Sequence, residues 1–385
     1  MNGTPSDCDE GKRMTLRRAN SRSWRIETNK GTITSLETWK EFAPPKSDAH
    51  WKPGRSAFEC ASTWFDQNGT PSVPTELAAL LESSRVTEGA QIVRVQPEHR
   101  VRFDRLRGEP RNADVNVLLD GPAGRVALSI EAKADEPFGA RVVDVLQAAV
   151  AKIAADTPTN AVLRVQQLAS ALFDKSKLAR PPLGEMRYQL LTGIAGALAF
   201  ANEVEAPCAM FVVHEFVTDS TEDKSHLQNL RDLNALVERL TDGHLSGIPC
   251  GRMVGPIHYP GAPLFASGQR PALYLAKARR VTRSSDSLGV FGVNHRLLEA
   301  SCTPVPLGQN WRDMFDSVRP LARGEGGGIY LADNADGCFV VTSESALGEL
   351  LDDGEPTEFL HRFESGMARE VWCNERFCQM ATERG

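Results

Sequence analysis

Residues 112–135, NADVNVLLDGPAGRVALSIEAKAD, have the pattern of a β-hairpin. Two runs of mainly β-branched and aliphatic residues flank residues 120–124, DGPAG, which favour a turn. With Gly121 to Gly124 taken as a four-residue loop, the residue numbers of each cross-strand pair sum to 245. On this register one face of the hairpin is entirely apolar and is predicted to face a core. Its cross-strand pairs are Val115–Ile130, Val117–Leu128 and Leu119–Val126.

The other face of this hairpin is polar. It places Asp114 opposite Glu131 and Asn116 opposite Ser129, and Lys133 shares that face because it follows two residues after Glu131. Directly opposed side chains have Cβ atoms about 4.5–5.5 Å apart, where like charges repel. Mg²⁺ suits two such carboxylates because it is bound through one or two carboxylates, water and phosphate oxygens. A solvated strand face also explains these charges, and the residues alone leave both interpretations open.

Asp114, the hairpin and the sequence Glu131-Ala132-Lys133 together resemble the PD-(D/E)xK phosphodiesterase superfamily, and within it an uncharacterised bacterial family. The superfamily includes many restriction endonucleases, Holliday-junction resolvases and RecB-type nucleases. The resemblance covers roughly residues 31–280, and Ala113 stands where the motif's proline would be. It is carried by HWKPGRSAFECASTWF (50–65), IEAKADEPFG (130–139), RYQLLTGIAGAL (187–198) and AMFVVHEF (209–216).

This resemblance implies a restriction-endonuclease-like α/β fold, in which helices flank a central mixed sheet. It implies a nuclease that depends on Mg²⁺ or Mn²⁺ and acts on DNA in preference to RNA, with a role in phage defence as a guess from related families. Asp114 and Glu131 would be metal ligands, the carbonyl of Ala132 would complete the protein's share of the shell, and Lys133 would be the catalytic lysine. The alternative is a catalytically inactive module of the same fold that binds nucleic acid or protein. The presence of all three charged residues favours the enzyme.

Helices around the hairpin supply further candidates by the same resemblance. Some relatives add a metal-binding glutamate from the helix before the sheet, and Glu76 in VPTELAALLES is the first candidate, with Glu59 second. RecB-like relatives carry a Gln and a Tyr on the helix after the lysine strand. The sequence RYQ is similar in residue type but not in spacing, which makes Arg187 and Gln189 candidate nucleic-acid-binding residues.

Residues 91–111, QIVRVQPEHRVRFDRLRGEPR, contain six arginines and three acidic residues and are predicted to form a second hairpin. Arginines beside a metal site would bind the phosphate backbone of a nucleic acid. A solvated edge hairpin that its charges protect from aggregation explains the same pattern. The candidate nucleic-acid-binding arginines are Arg94, Arg100, Arg102 and Arg105.

Composition is that of an ordinary globular protein, with 41% hydrophobic and 24% charged residues among 385. No apolar run approaches the roughly 18 residues of a membrane-spanning helix, and the first residues lack the apolar core of a signal peptide. The eight cysteines show no CxxC spacing, which argues against a zinc ribbon and a disulfide scaffold. A cytoplasmic protein is therefore expected.

Charge and composition predict three parts of the chain. Residues 1–30 are predicted to be a polar arm and residues 31–284 a nuclease-like domain, with a linker in KARRVTRSSDS (277–287). Residues 285–385 hold 8 Arg, no Lys and 17 acidic residues, a net charge of −9, against +3 for the rest. They are predicted to form an acidic α+β domain that binds a partner protein or mimics nucleic acid. The sequence leaves open whether the protein is a homodimer.

Periodicity and capping residues predict the main elements. His214 in CAMFVVHEF is expected to be a hydrogen-bonded sheet histidine and not a ligand. GEGGG (324–328) is predicted to be a flexible loop. Helices are expected at 35–42, 56–65, 75–83, 140–155, 162–173 and 185–204, and after a cap at Ser343 or Ser345; strands are expected at 208–216 and 273–280 and in a hairpin over 328–341.

Overall fold

The computed structural model describes residues 24–174, 181–245, 247–248, 250–261, 270–282, 288–293, 305–307, 311–315, 317–324, 327–334 and 337–342. These residues form a mixed α/β structure with an eight-stranded central sheet, a five-stranded sheet and a short two-stranded one. Among the helices of this described part, none is long and apolar enough to span a bilayer.

The helices and strands are numbered from the N-terminus to the C-terminus. The helices are α1 (Leu36–Phe42), α2 (Ser56–Thr63), α3 (Thr75–Glu82), α4 (Val142–Ala154), α5 (Ala161–Leu172), α6 (Tyr188–Glu203) and α7 (Asp223–Leu240). The strands are β1 (Arg25–Thr28), β2 (Gly31–Ile33), β3 (Gln91–Pro97), β4 (Arg100–Val101), β5 (Arg111–Asn112), β6 (Val115–Gly121), β7 (Gly124–Lys133), β8 (Cys208–Val217), β9 (Met253–Ile257), β10 (Ala272–Val281), β11 (Leu288–Val293), β12 (Val305–Leu307), β13 (Ser317–Gly324), β14 (Gly327–Asn334) and β15 (Gly337–Thr342).

The predicted hairpin is confirmed as β6 and β7, at the centre of the main sheet. Val115 pairs with Ile130 and Asp120 pairs with Arg125, as the register predicts. The turn is tighter than expected, because Gly121 pairs with Gly124 and leaves a two-residue loop. The sheet has the order β2-β1-β3-β6-β7-β8-β10-β9, and it is mixed because β7, β8 and β10 are parallel while β6 and β7 are antiparallel.

Both faces of the hairpin are buried. The apolar face packs with Trp39 of α1, Cys60 of α2 and Leu77 of α3 in one core cluster. The polar face lies beneath α6, which packs against β7 and β8. Consequently the charged residues Glu131 and Lys133 on that face are only 2% and 5% exposed. A solvated strand face is therefore not the explanation of these charges.

Helix α6 approaches the sheet closely through two glycines. A Cβ atom at Gly193 would lie 2.6 Å from Cε2 of Phe211 on β8, and one at Gly196 would lie 2.8 Å from Cγ of Arg111 on β5. Real Cβ atoms do not come this near to other heavy atoms. The predicted apolar stripe of this helix is confirmed, since Leu190, Ile194 and the other members of the stripe are buried.

Several predicted boundaries are wrong, because strand pairing extends beyond the polar sequence that suggested them. Residues 25–28, assigned to the polar arm, form β1, which pairs in parallel with β3. Residues 91–111 are not one hairpin, since β3 pairs with β1 and β6 while β4 pairs with β5. Residues 277–281 of the predicted linker belong to β10, where Lys277 is 2% exposed.

The C-terminal part of the chain forms an antiparallel sheet of order β12-β11-β15-β14-β13 in its described residues. The hairpin predicted over 328–341 is confirmed as β14 and β15. Of GEGGG, predicted to be a flexible loop, Gly324 ends β13 and pairs with Gly327 at the start of β14, and the two residues between them lie outside the described residues. The helix predicted after Ser343 or Ser345 lies outside the described residues, as do residues 1–23. The division of the chain into domains stays a prediction.

The close approach of α6 predicts the effect of adding a methyl group. We expect Gly193→Ala to lower the free energy of unfolding by about 1–3 kcal/mol, because the new Cβ meets the Phe211 ring. In a double-mutant cycle measured by urea unfolding, adding Phe211→Leu should recover part of that loss. Gly184→Ala is the matched control, since its Cβ would meet Val143 at an ordinary 3.5 Å. Equal losses at Gly193 and Gly184 would contradict the packing explanation.

Candidate active site

Three of the predicted site residues lie together where the hairpin strands end. Asp114 immediately precedes β6, and its Oδ2 accepts a hydrogen bond from the backbone N of Ala132 at 2.7 Å. Glu131 and Lys133 lie on the same face of β7, and Lys133 Nζ donates to Glu131 Oε1 at 2.7 Å. The Lys133 ammonium also lies 5.5 Å from the centre of the Phe138 ring. The structure therefore brings two carboxylates and a lysine into one cluster, in which Glu131 and Lys133 are buried and Asp114 is partly exposed.

Glu131 is held by donors from three elements. Lys133 on β7 and Gln189 on α6 both donate to its Oε1, the latter at 2.5 Å. Arg111 on β5 donates to Oε2. A buried carboxylate needs such compensation, because its transfer from water costs several kcal/mol. Gln189, predicted to bind nucleic acid, here contacts the central carboxylate instead.

The pKa values of Asp114, Glu131 and Lys133 are all shifted from their ordinary values. Burial and the charge of Glu131 raise the pKa of Asp114 to about 7. Burial alone would also raise the pKa of Glu131, but the charges of Lys133 and Arg111 outweigh it and lower that pKa. Burial would lower the pKa of Lys133, but the charges of Glu131 and Asp114 raise it. At neutral pH the site therefore holds an ionised Glu131 against a protonated Lys133.

Glu98 is a third carboxylate that the sequence did not single out. It follows β3 with a backbone φ of 51°, a left-handed conformation that is uncommon outside glycine, and its backbone N donates to the carbonyl of Asp114 at 3.1 Å. Asn112 donates to its carboxylate. Burial and the charge of Asp114 raise the pKa of Glu98 to about 8. The pairing of β3 with β6 sets Glu98 opposite Asp114, and only that non-local register could have pointed to it.

Glu76 does not join the cluster. On α3, its Oε1 lies 2.8 Å from Nε2 of His214, and its Oε2 lies 3.7 Å from Arg280. His214 is the strand partner of Ala132, so its side chain projects from the face of the sheet opposite to Glu131. The second choice, Glu59, accepts a hydrogen bond from the backbone N of Gly54 at 2.7 Å. The prediction that His214 is a hydrogen-bonded sheet residue is confirmed, since it is fully buried and contacts Glu76.

The predicted nucleic-acid-binding arginines lie in three different surroundings. Arg100 on β4 and Arg102 and Arg105 in the following loop are exposed, beside β5 and Arg111. Arg94 on β3 pairs with Leu118, four residues along β6 from Asp114. Arg187 is engaged in packing, because its Nε lies 2.6 Å from Asp232 Oδ2 and its Nη1 donates to the Gly139 carbonyl at 2.8 Å.

The fold and the cluster define a mixed α/β protein with a buried carboxylate–lysine site. The chain belongs to the family described as "Domain of unknown function (DUF6946)", whose model matches residues 32–268. That range includes the β6–β7 hairpin and all the residues of the cluster. No curated protein and no solved structure matches the chain.

The contact between Glu76 and His214 predicts a stability effect that depends on pH. Burial would raise the pKa of Glu76, but its hydrogen bonds and the charge of His214 lower it to about 2. A lowered carboxyl pKa stabilises the fold above the unfolded value near 4.5, and this stabilisation is lost as the pH falls toward 2. We expect Glu76→Gln to lose roughly 1–3 kcal/mol at pH 7 and much less at pH 3, measured by urea unfolding.

Glu82→Gln, at an exposed position on the same helix, is the control and should change little at either pH. A Glu76→Gln loss that is equally large at pH 3 would contradict the role of the ionised carboxylate.

Proposed function

We propose that this protein is a metal-dependent nuclease that hydrolyses phosphodiester bonds, in DNA in preference to RNA, on a restriction-endonuclease-like sheet. The observation that carries the proposal is the cluster of Asp114, Glu131 and Lys133 on one face at the end of a buried hairpin. Charged groups are expensive to bury, and structural needs alone would be met by apolar residues of similar size. Ionisable groups whose pKa values are shifted by burial and by neighbouring charges are typical of functional sites.

The donor set suits a hard divalent cation such as Mg²⁺ or Mn²⁺. Asp114 and Glu131 would hold it, with the Ala132 carbonyl as a third oxygen, and the cation would supply charge neutralisation and an activated water. Within the described residues, no group of three or more His, Cys, Asp and Glu side chains is arranged to hold a metal ion. The Glu131 oxygens accept from Arg111, Lys133 and Gln189, so a metal ligand role for Glu131 requires at least one of these donors to withdraw.

Lys133 has the chemistry to act on the reacting groups. Its raised pKa keeps it protonated at neutral pH, so it can orient a water molecule by hydrogen bonding or neutralise charge that develops on the phosphate. A protonated lysine is not a general base. Its contact with Glu131 Oε1 holds the ammonium next to the carboxylate that would bind the metal.

One observation favours the second candidate, a binding module that has kept the nuclease fold. Lys133 is 5% exposed and Glu131 is 2% exposed, so these two side chains are closed to solvent in this conformation, whereas Asp114 is partly exposed. A module of this kind would use the exposed arginines around β4 and leave the cluster as a structural network. Cleavage assays on single- and double-stranded DNA and RNA, with Mg²⁺, Mn²⁺ or EDTA, separate the two functions.

The proposed division of roles predicts different losses at the three residues. Lys133→Ala should lower cleavage by about 10²-fold or more and leave Mn²⁺ binding nearly intact, because the lysine is not a ligand. Asp114→Asn and Glu131→Gln should lower both cleavage and Mn²⁺ affinity, because each removes a ligand charge. Cleavage would be measured on DNA and Mn²⁺ affinity by calorimetry.

Glu76→Gln is the matched control for the carboxylates, since it lies on the other face of the sheet and should leave Mn²⁺ affinity unchanged. If wild type and both Lys133→Ala and Glu131→Gln cut equally well, the active site lies elsewhere. If wild type cuts no nucleic acid with any metal, the binding module is the better explanation.

The exposed arginines predict the salt dependence of binding. We expect Arg102→Ala to weaken DNA binding about equally for different sequences, because a phosphate contact carries no base information. The slope of log affinity against log salt should fall by roughly one unit for each phosphate contact removed. Fluorescence anisotropy on two unrelated duplexes at several salt concentrations measures both. A loss confined to one duplex would indicate base recognition instead.

A further inference from the structure

Arg111 is the positively charged partner of one carboxylate oxygen of Glu131. It lies on β5, a strand of two residues, and its side chain is 14% exposed. Its Nη2 donates to Oε2 of Glu131, the oxygen that neither Lys133 nor Gln189 contacts. The side chain reaches this position over Gly196 of α6, where a Cβ atom would lie 2.8 Å from Arg111 Cγ. Helix α6 is therefore shaped to admit the arginine.

Hydrogen bonds place Arg111 among the three carboxylates of the cluster. Its Nη2 donates to Glu131, and Asn112, the next residue on β5, donates to the carboxylate of Glu98. The backbone N of Ala132, beside Glu131 on β7, donates to Asp114 Oδ2. A cation bound among these carboxylates would be attracted to them as the guanidinium is.

Formal charges indicate what must change when a metal ion binds. Glu98, Asp114 and Glu131 carry −3 when all are ionised, and Arg111 and Lys133 carry +2. A divalent cation changes the total from −1 to +1, and one phosphodiester group then returns it to zero. A metal ion on Oε2 of Glu131 would repel the guanidinium that now contacts this oxygen, and displacement of the guanidinium would relieve that repulsion.

We propose that Arg111 acts as a place-holder for the metal ion and moves from Glu131 to the scissile phosphate when the ion binds. This inference rests on the proposed function. The guanidinium fork matches two phosphate oxygens, and an arginine on the phosphate stabilises charge that develops during hydrolysis. Its Nε is buried and makes no hydrogen bond within the described part of the chain. Arg100 is exposed on the paired strand β4, where its strand partner is Asn112, the residue next to Arg111.

The place-holder role predicts opposite effects on metal binding and on cleavage. Arg111→Met keeps the aliphatic length and removes the charge. We expect it to bind Mn²⁺ about 10-fold more tightly than wild type, because no cation competes for Glu131, while cleavage falls about 10²-fold. Free Mn²⁺ is measured by its EPR signal during titration with Mn²⁺ alone, so this readout is independent of catalysis. Arg111→Gln, which keeps a hydrogen-bond donor for Glu131, should also bind Mn²⁺ more tightly and serves if the methionine variant folds poorly.

Thermal unfolding separates a place-holder from a purely structural arginine. Without metal, the methionine variant should unfold at a lower temperature than wild type, since Glu131 loses a partner. Mn²⁺ at saturating concentration should raise its unfolding temperature more than that of wild type. Arg85→Met, at an exposed position outside the cluster, is the matched control. It should change neither the unfolding temperature without metal nor the rise in that temperature on adding Mn²⁺.

The outcomes distinguish this inference from the proposed function. If Arg111→Met and Arg111→Gln bind Mn²⁺ no more tightly than wild type, while wild type binds it and cuts, the place-holder role is wrong and the nuclease proposal stands. If neither wild type nor these variants bind Mn²⁺, both proposals fail. If the variants bind Mn²⁺ and wild type does not, the place-holder role is supported even without cleavage.

Discussion

The burial of Glu131 is the constraint on which the rest of the site depends. An ionised carboxylate beneath a helix is stable only if charged and polar donors replace the water it has lost. The chain supplies Lys133 from the same strand, Gln189 from α6 and Arg111 from β5. The side chain of Glu131 therefore links the hairpin to the short outer sheet and to α6, which is distant from both in sequence.

Helix α6 makes that arrangement geometrically feasible. Gly193 lets the helix approach Phe211 on the sheet, and Gly196 leaves room for the stem of Arg111. Larger residues would raise the helix away from β7, and Gln189 would then lose Glu131. The same helix thus closes the site to solvent and supplies one of its donors. Its glycines allow both the close packing of the helix and the contacts of Glu131, which explains why a helix interior carries two residues of low helix propensity.

The two faces of the central sheet carry separate polar networks. Glu131 and its donors lie on the face that α6 covers. On the opposite face, Glu76 of α3 contacts His214 of β8. Glu76 precedes the β6–β7 hairpin in sequence and is predicted from the sequence as a further metal ligand, but its contact with His214, the strand partner of Ala132, assigns it to the other side of the sheet. Residues 32–268 match the DUF6946 family model, whose description names no function. A fold or family alone does not define chemistry, which depends on the residues of the site.

The sequence by itself determined the local features of the protein. The apolar match across the turn predicted the register of β6 and β7, and with it the meeting of Asp114 with Glu131 and Lys133. These pairings span few residues, so period and turn chemistry suffice to define them. Only the tertiary structure decided the partners from distant elements: Glu98 through the pairing of β3 with β6, and Arg111 and Gln189 through the packing of α6 over β5 and β7. The tertiary structure also decided that the polar face of the hairpin is buried. This burial depends on α6 packing over β7 and β8, which the sequence of the hairpin does not predict.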